Sequence, residues 1–174
     1  MSRVAKSVAG TTLALFVLAV AARAQESAVP LDKLPRPVLE AAKKRFPKAE
    51  VKGASKETTD GKTVYEVTLK QDGKNIDVTL TPEGKITLIE KEVAFKDLPR
   101  PVAETLNKKY PNAKYSIIEE VIKVEGTKET LEYYEAHLTT ADKKVMEAEG
   151  LPDGKLKGET EVKEEKKDEK KKDK

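Results

Sequence analysis

Cysteine and tryptophan are absent from the sequence, histidine occurs once, and aromatic residues make up 5% of it. Without cysteine the chain can form neither disulfides nor thiolate metal sites, so a folded domain must be held together by an apolar core. Without tryptophan, and with few other aromatic rings, a stacking platform for carbohydrate is not expected. The single histidine also excludes metal sites that need two, and it has no thiol partner for nucleophilic catalysis.

The first 24 residues resemble an export leader rather than a folded segment. Arg3 and Lys6 precede an apolar run at 13–20, and the small-x-small sequence Ala22-Arg23-Ala24 follows it. This is the layout of a signal peptide, and the run is too short to span a bilayer comfortably. We predict a signal peptide at 1–24 and an exported protein, periplasmic or secreted, without stable membrane insertion after leader removal. The alternative is an uncleaved membrane anchor.

The charges of the chain are nearly balanced. Of its 34 basic and 31 acidic residues, three basic ones lie in the leader, which leaves 31 of each sign in the remainder. A balanced chain has no net field that attracts phosphate backbones, so nucleic acid is not an expected partner. The segment 163–174 contains charged residues only, which predicts a disordered, solubilising tail. A weak electrostatic tether to envelope polymers is the alternative for this tail.

One motif occurs twice and organises the rest of the chain. The sequence Leu-Pro-Arg-Pro-Val starts at Leu34 and again, 64 residues later, at Leu98. Twelve residues after each of these leucines an aromatic residue precedes a proline. A period of this length indicates one structural unit used twice. We predict a first repeat at 25–93 and a second at 94–162.

Each copy reads as a helix followed by antiparallel strands. Prolines stand where a first helical turn tolerates them, and a later proline ends the helix. Between them, apolar residues recur every fourth position and form one stripe: Leu34, Val38, Ala42 and Phe46 in the first copy. Downstream, apolar and polar residues alternate as in half-buried strands. The predicted fold class is α+β, with two tandem copies of a helix packed on a four-stranded antiparallel β-meander.

Tight turns separate the predicted strands. An acidic residue, a glycine and a lysine follow one another at Gly61, Gly73, Gly84 and Gly154. Glycine supplies the positive φ angle that hairpin turns need. Each turn offers one carboxylate, whereas a calcium loop needs acids at alternating positions, so the four are predicted to be turns and not calcium sites.

No pattern in the sequence indicates catalysis. Alternation places His137 on a polar strand face, away from the core and without a nucleophile setting. Glu119 and Glu120 are adjacent in one predicted strand and must point to opposite faces, so they cannot act as a pair. We predict no enzyme activity, no cofactor, no catalytic residue and no metal ligand.

The order of these motifs resembles the PepSY-like family related to the β-lactamase inhibitor protein. The shared motifs are Leu-Pro-x-x-Val, Phe/Tyr-Pro-x-Ala, Tyr-Glu-Val-x-Leu from Tyr65, and the Pro-Glu/Asp-Gly-Lys turn at Gly84 and Gly154. The resemblance implies a helical segment on a four-stranded sheet, repeated in tandem, and paired sheets that hold a secreted enzyme. PepSY domains are suggested to restrain extracellular peptidases. Since the inhibitor's disulfides have no counterpart here, the fold carries over and the β-lactamase target does not.

Together these observations predict an exported, monomeric, non-catalytic module that binds a protein or peptide through the polar faces of its two sheets. Inhibition or restraint of a secreted peptidase or other hydrolase by surface occlusion is the expected mechanism. Six polar strand residues are the candidate contacts: Glu66, Thr68, Thr79, Tyr133, Glu135 and His137. One alternative is an envelope protein that binds a small ligand or metal ion and is tethered by its tail. Another is a hydrolase that depends on His137.

Overall fold

The computed structural model describes residues 27–59 and 61–162, which form two α-helices, two short 3₁₀ helices and nine strands. The helices are α1 (Arg36–Arg45) and α2 (Arg100–Lys109), preceded by 3₁₀ turns at Leu31–Lys33 and Phe95–Asp97. The strands are β1 (Ser27–Ala28), β2 (Glu50–Thr59), β3 (Lys62–Gln71), β4 (Lys74–Leu80), β5 (Ile86–Glu92), β6 (Lys114–Glu125), β7 (Lys128–Thr139), β8 (Val145–Gly150) and β9 (Leu156–Glu161). The predicted signal peptide at 1–24 and the predicted tail at 163–174 lie outside the described residues.

The nine strands form one sheet in chain order, and each strand is antiparallel to the next. The first and second copies meet where β5 pairs with β6, from Leu88 opposite Lys123 to Glu92 opposite Glu119. The α+β class is therefore confirmed, and the sheet is continuous rather than divided between the copies. Its division into two four-stranded units remains a prediction, since β5 and β6 pair as any other neighbours do.

Both helices pack on the same face of this sheet. The stripe of α1 lies on a core of strand residues that includes Val67, Val78 and Ile89, and it extends to Ile122 on β6. The stripe of α2 lies on a second core, which includes Ile118 of that same strand. Ile118 and Ile122 are four residues apart on β6 and face the same side of the sheet. The opposite face carries no helix among the described residues, and we name it the open face.

Two glycine turns hold the helices against the ends of the strands. Gly84 has a φ of +82°, and a side-chain carbon built on it would lie 2.5 Å from the carbonyl oxygen of Pro37 in the first turn of α1. Gly154 has a φ of +87° and would place the same carbon 2.7 Å from the carbonyl oxygen of Pro101 in α2. Glycine is required at both positions by the backbone angle and by the close approach. The two contacts are equivalent, which supports the predicted duplication.

The two copies also touch through side chains. Arg45 of α1 donates both to Oε1 of Glu129 on β7, at 2.8 Å from Nη2, and to its Oε2, at 3.1 Å. Val124 of β6 belongs to the core under α1. The second copy thus contributes to the packing of the first. Among the described residues, no helix is long and apolar enough to cross a membrane.

The structure differs from the sequence-based expectation at two places. A two-residue strand at Ser27–Ala28 pairs with β2 and was not predicted. The hairpin of β6 and β7 has 12 residues in each strand, against 10 in each strand of the β2–β3 hairpin. The second predicted repeat is therefore longer than the first in this hairpin.

Candidate functional site: the open face of the sheet

The six predicted contact residues all lie on the open face and are all partly buried. Glu66 is opposite Thr79 in the β3–β4 pair, and Thr68 of β3 also points to this face. Tyr133, Glu135 and His137 follow one another at alternate positions of β7. Alternation along the strands had placed them on polar faces, and the structure has them there. Their role in binding remains a prediction.

The structure brings these six residues together in two groups rather than one. Glu66, Thr68 and Thr79 lie on β3 and β4, whereas the other three lie on β7. Strands β5 and β6 run between the two groups. The open-face residues of these two strands therefore lie at the centre of any surface that joins the groups.

Carboxylates occupy much of that centre. Asp77 of β4 is opposite Glu90 of β5, Glu92 of β5 is opposite Glu119 of β6, and Glu135 of β7 is next to Glu119. On β8, Glu147 is opposite His137 and Glu149 is opposite Glu135. We name the eight carboxylates from β3 to β8 the acidic strip: Glu66, Asp77, Glu90, Glu92, Glu119, Glu135, Glu147 and Glu149.

Burial raises the pKa of four carboxylates of the strip: Asp77, Glu90, Glu119 and Glu135. Burial, together with the charges of Glu119, Glu135, Glu66 and Asp77, raises the pKa of Glu90 to about 7. Burial also raises the pKa of Asp77, of Glu119 and of Glu135. The buried Oδ1 of Asp77 has no hydrogen-bond partner among the described residues. The centre of the open face is therefore a place where positive charge would be favoured.

The ring of Tyr133 is in contact with a positively charged side chain of the same protein, Lys157. The Nζ of Lys157 on β9 lies 3.5 Å from the centre of the Tyr133 ring and 2.9 Å from Oε2 of Glu149. A cation over an aromatic face and beside a carboxylate is a favourable arrangement. Burial raises the pKa of Tyr133 to about 12, so its hydroxyl stays neutral.

His137 forms a local pair with Glu135. Its Nε2 lies 2.9 Å from Oε1 of Glu135, and the side chains are 34% and 14% exposed. Two sets of three side chains have possible metal-ligand atoms that all lie within 4.8 Å of one another. One set is Glu119, Glu135 and His137, and the other is Glu135, Glu147 and Glu149. The side chains could close around a cation. The three side chains of the first set include no hydroxyl or thiol that the histidine could activate as a nucleophile.

Apolar side chains form the floor of the open face. Val121 of β6 is fully buried although it lies on the side away from both helical cores. Leu88 of β5, opposite Thr79, is half-buried. Ile117, opposite His137, is 39% exposed. The surface is thus an apolar floor with carboxylates standing around it.

Sequence reasoning missed the central carboxylates, Glu90 above all. Each of them reads as an ordinary polar residue of an alternating strand. Their closeness depends on the pairing of β5 with β6, for which no local pattern exists. Glu119 was correctly separated from Glu120: Glu119 faces Glu135 on the open face and Glu120 faces Tyr134 on the other. The signal that could have found the strip is the excess of acids at open-face positions of consecutive strands.

Two family models match the chain in succession. Residues 38–83 match PepSY, "Peptidase propeptide and YPEB domain", and residues 87–151 match PepSY_like, "Putative beta-lactamase-inhibitor-like, PepSY-like". Together the two matches cover well over half of the chain. The chain belongs to the PepSY-like family. The matches divide at 84–86, before most of β5, whereas the predicted repeats at 25–93 and 94–162 place β5 in the first copy. No curated protein is significantly similar to this PepSY-like chain in sequence.

Solved structures with the same fold come from Bacteroides species. A "putative periplasmic" protein of Bacteroides eggerthii has a TM-score of 0.59 at 14% identity, over 74% of the PepSY-like chain and 88% of its own. A DUF2874 family protein of Bacteroides uniformis has a TM-score of 0.58 at 15% identity, over 74% and 89%. A BLIP-like protein of Bacteroides fragilis has a TM-score of 0.54 at 18% identity, over 72% and 84%. At these identities the likeness establishes the fold alone.

Proposed function

We propose that this PepSY-like protein is an exported, non-catalytic binding module that holds a protein partner on the open face of its sheet. The partner is a secreted enzyme, a peptidase or other hydrolase, which the module restrains by covering part of its surface. No chemical step is required of the module. The two predicted repeats, each a helix with four strands, supply the two halves of the binding surface.

The observation that carries this proposal is the uncovered face of a nine-stranded sheet. Both helices pack on the other side, so the open face presents partly buried polar side chains around a floor that includes Val121. A stable protein complex needs about 800 Å² from each partner. Nine strands spaced about 4.8 Å apart and about 20 Å long cover about 860 Å², which is of that order.

The comparisons support the proposal at the level of family and fold. The second half of the chain matches a family described as beta-lactamase-inhibitor-like, and a BLIP-like protein shares the fold. A structural neighbour described as periplasmic agrees with export. These likenesses support an inhibitor-type module, and they do not identify its target.

The test is capture of a partner that depends on the open face. The exported protein is immobilised and exposed to the organism's own envelope and secreted fractions. It is compared with Thr79→Arg, on β4 of the open face, and with Thr127→Arg, a matched control in the turn between β6 and β7. A partner that is retained by the wild type and the control and lost by Thr79→Arg supports the proposal, as does inhibition of that partner at one-to-one stoichiometry. Equal retention by both variants, or no specific partner, would contradict it.

The alternative of a metal-binding envelope protein makes a different prediction. If Glu119, Glu135 and His137 take up a divalent ion, calcium or another divalent metal should raise the melting temperature of the wild type. Glu135→Gln should abolish that rise. A melting temperature that is the same with every metal ends this alternative.

A further inference from the structure

We propose that the open face recognises a cationic protein segment, one whose lysine or arginine side chains lie along the acidic strip where β5 and β6 join the two copies. This inference rests on the proposed function and narrows it to one class of partner. It is argued from the distribution of charge on the two sides of the sheet, from the ion pairs within the strip and from the apolar floor beneath it.

The acidic strip crosses the middle of the open face, and two lysines of that face, Lys123 and Lys157, lie beside it. Five basic residues stand in the last turns of the helices: Lys43, Lys44 and Arg45 in α1, and Lys108 and Lys109 in α2. The acidic strip lies on the other side of the sheet. A partner that approaches the acidic strip therefore meets an excess of carboxylates, because Lys123 and Lys157 already pair with Glu125 and Glu149. Such a surface selects partners by the sign of their charge.

The carboxylates of the strip are only partly matched within the chain. Glu149 pairs with Lys157, and Glu135 with His137. Glu90, Glu119 and Glu147 form no ion pair with a lysine or arginine of the described residues. These three come from three different strands, β5, β6 and β8, and from both copies. A set of like charges held together without counter-charges is a cost to the free protein that a cationic partner would remove.

The structure also shows how an ammonium group is held at this face. Lys157 reaches from the edge strand and places its Nζ between the ring of Tyr133 and the carboxylate of Glu149. A second ammonium from a partner would find carboxylates at Glu90 and Glu119 on the neighbouring strands. The contact of Lys157 with Tyr133 and Glu149 is thus an intramolecular example of the way in which a partner's ammonium group would bind.

The apolar floor favours a side chain over a bare ion. Val121 lies between Glu90 of β5 and Tyr133 of β7, and Leu88 lies two residues from Glu90 on β5, between Thr79 and Lys123. Lysine and arginine bury their methylene stems on apolar surface while the charged end reaches a carboxylate. A divalent ion alone would leave that floor uncovered, and a nucleic acid would be repelled by the strip.

The test uses the full exported protein and two synthetic probes, a decalysine and a decaglutamate peptide. Binding is measured by calorimetry at pH 7.5 and about 0.1 M salt, where the Debye length is about 10 Å. The variant is Glu90→Gln/Glu119→Gln, which removes two charges from the strip. The matched control is Glu40→Gln/Glu104→Gln, which removes two charges from the helices, where each glutamate pairs with an arginine of its own helix. Circular dichroism checks that both variants fold.

We expect decalysine to bind, decaglutamate not to bind, and the strip variant to bind decalysine about tenfold more weakly, as expected when close charge pairs are lost. The helix control should change affinity less than about twofold, since exposed charges beyond a Debye length are screened. Equal weakening in both variants would overturn the inference, because net charge alone would then explain binding. Absence of decalysine binding, or binding of calcium alone, would also overturn it.

The two proposals fail in different ways. If decalysine does not bind but a protein partner is still lost by Thr79→Arg, the open face binds proteins and only the inference about their charge is wrong. If no partner depends on Thr79, the proposed function is wrong.

Discussion

Replacing Gly84 with alanine tests whether the turn before β5 is locked against the start of α1. Gly84 has a φ of +82°, which costs an alanine about 1 kcal/mol. The new methyl carbon would also lie 2.5 Å from the carbonyl oxygen and 2.8 Å from the carbonyl carbon of Pro37. Both atoms belong to the helix backbone, so the turn or the helix must move. Overpacking of this kind costs about 1–3 kcal/mol, and we expect a total loss of about 2–4 kcal/mol.

Gly73 separates the two contributions. It has nearly the same φ, +80°, but a methyl carbon there would meet no atom within 4 Å. Gly73→Ala should therefore lose about 1 kcal/mol from backbone strain alone. The free energy of unfolding, measured in urea at one pH for both variants, gives the cost of the contact by difference. Gly154→Ala should behave as Gly84→Ala, because Gly154 approaches Pro101 in the same way.

The reasoning fails if Gly84→Ala and Gly73→Ala lose the same stability within about 0.5 kcal/mol, a difference that additive effects do not resolve. That result would mean that the turn yields freely and does not fix the helix on the sheet. A large loss for Gly84→Ala with none for Gly154→Ala would contradict the equivalence of the two copies.

Three further predictions concern charges. The raised pKa of Glu90, about 7, means that the folded protein binds a proton at this carboxyl more tightly than the unfolded one, so the contribution of Glu90 to stability falls as pH rises from about 4.5 to about 7. Glu90→Gln should therefore raise the free energy of unfolding by about 1–2 kcal/mol at pH 8, after allowance for solvent screening, and by clearly less at pH 5. An equal effect at both pH values would refute this. A double-mutant cycle on Arg45 and Glu129 should give a coupling below about 1 kcal/mol that shrinks in high salt, and a salt-independent coupling would count against a partly exposed ion pair. The carboxylate of Glu159 accepts a hydrogen bond from the Tyr110 hydroxyl at 2.5 Å and pairs with Nζ of Lys109 at 2.8 Å. Glu159→Gln should therefore speed amide hydrogen exchange in β9 more than in β7. Unchanged exchange in β9 would show that these contacts do not hold the edge strand.

Features that depend on local pattern were predicted well. The stripe from Leu34 to Phe46 and its copy from Leu98 to Tyr110 are buried as the four-residue spacing indicates. Gly73, Gly84 and Gly154 have the positive φ angles expected of their turns. These features depend on residues close in sequence, where spacing and turn chemistry are sufficient. The orientation of His137 followed from the same alternation.

Features that depend on pairing between distant strands were not predictable. Strand β6 has apolar residues on both faces, Ile118 and Ile122 on one and Val121 on the other, and the structure has it between β5 and β7. Which strand would pair with it on the other side remained open. A shift of one residue in the β5–β6 register would have turned Glu90 and Glu119 to opposite faces. The acidic strip is therefore a property of the register, and no single strand contains it.

The junction of the two copies also explains why duplication would matter for function. Asp77 and Glu90 come from the first copy, and Glu119 and Glu135 from the second. An isolated copy would leave β5 or β6 as an exposed edge and would hold four of the eight carboxylates, so Glu90 would lose the charges of Glu119 and Glu135 that help to raise its pKa. In the continuous sheet the edge is paired and the charges are brought together over Val121. Joining the two copies thus removes an exposed strand edge that is prone to aggregation. The same β5–β6 pairing brings the carboxylates of the acidic strip together.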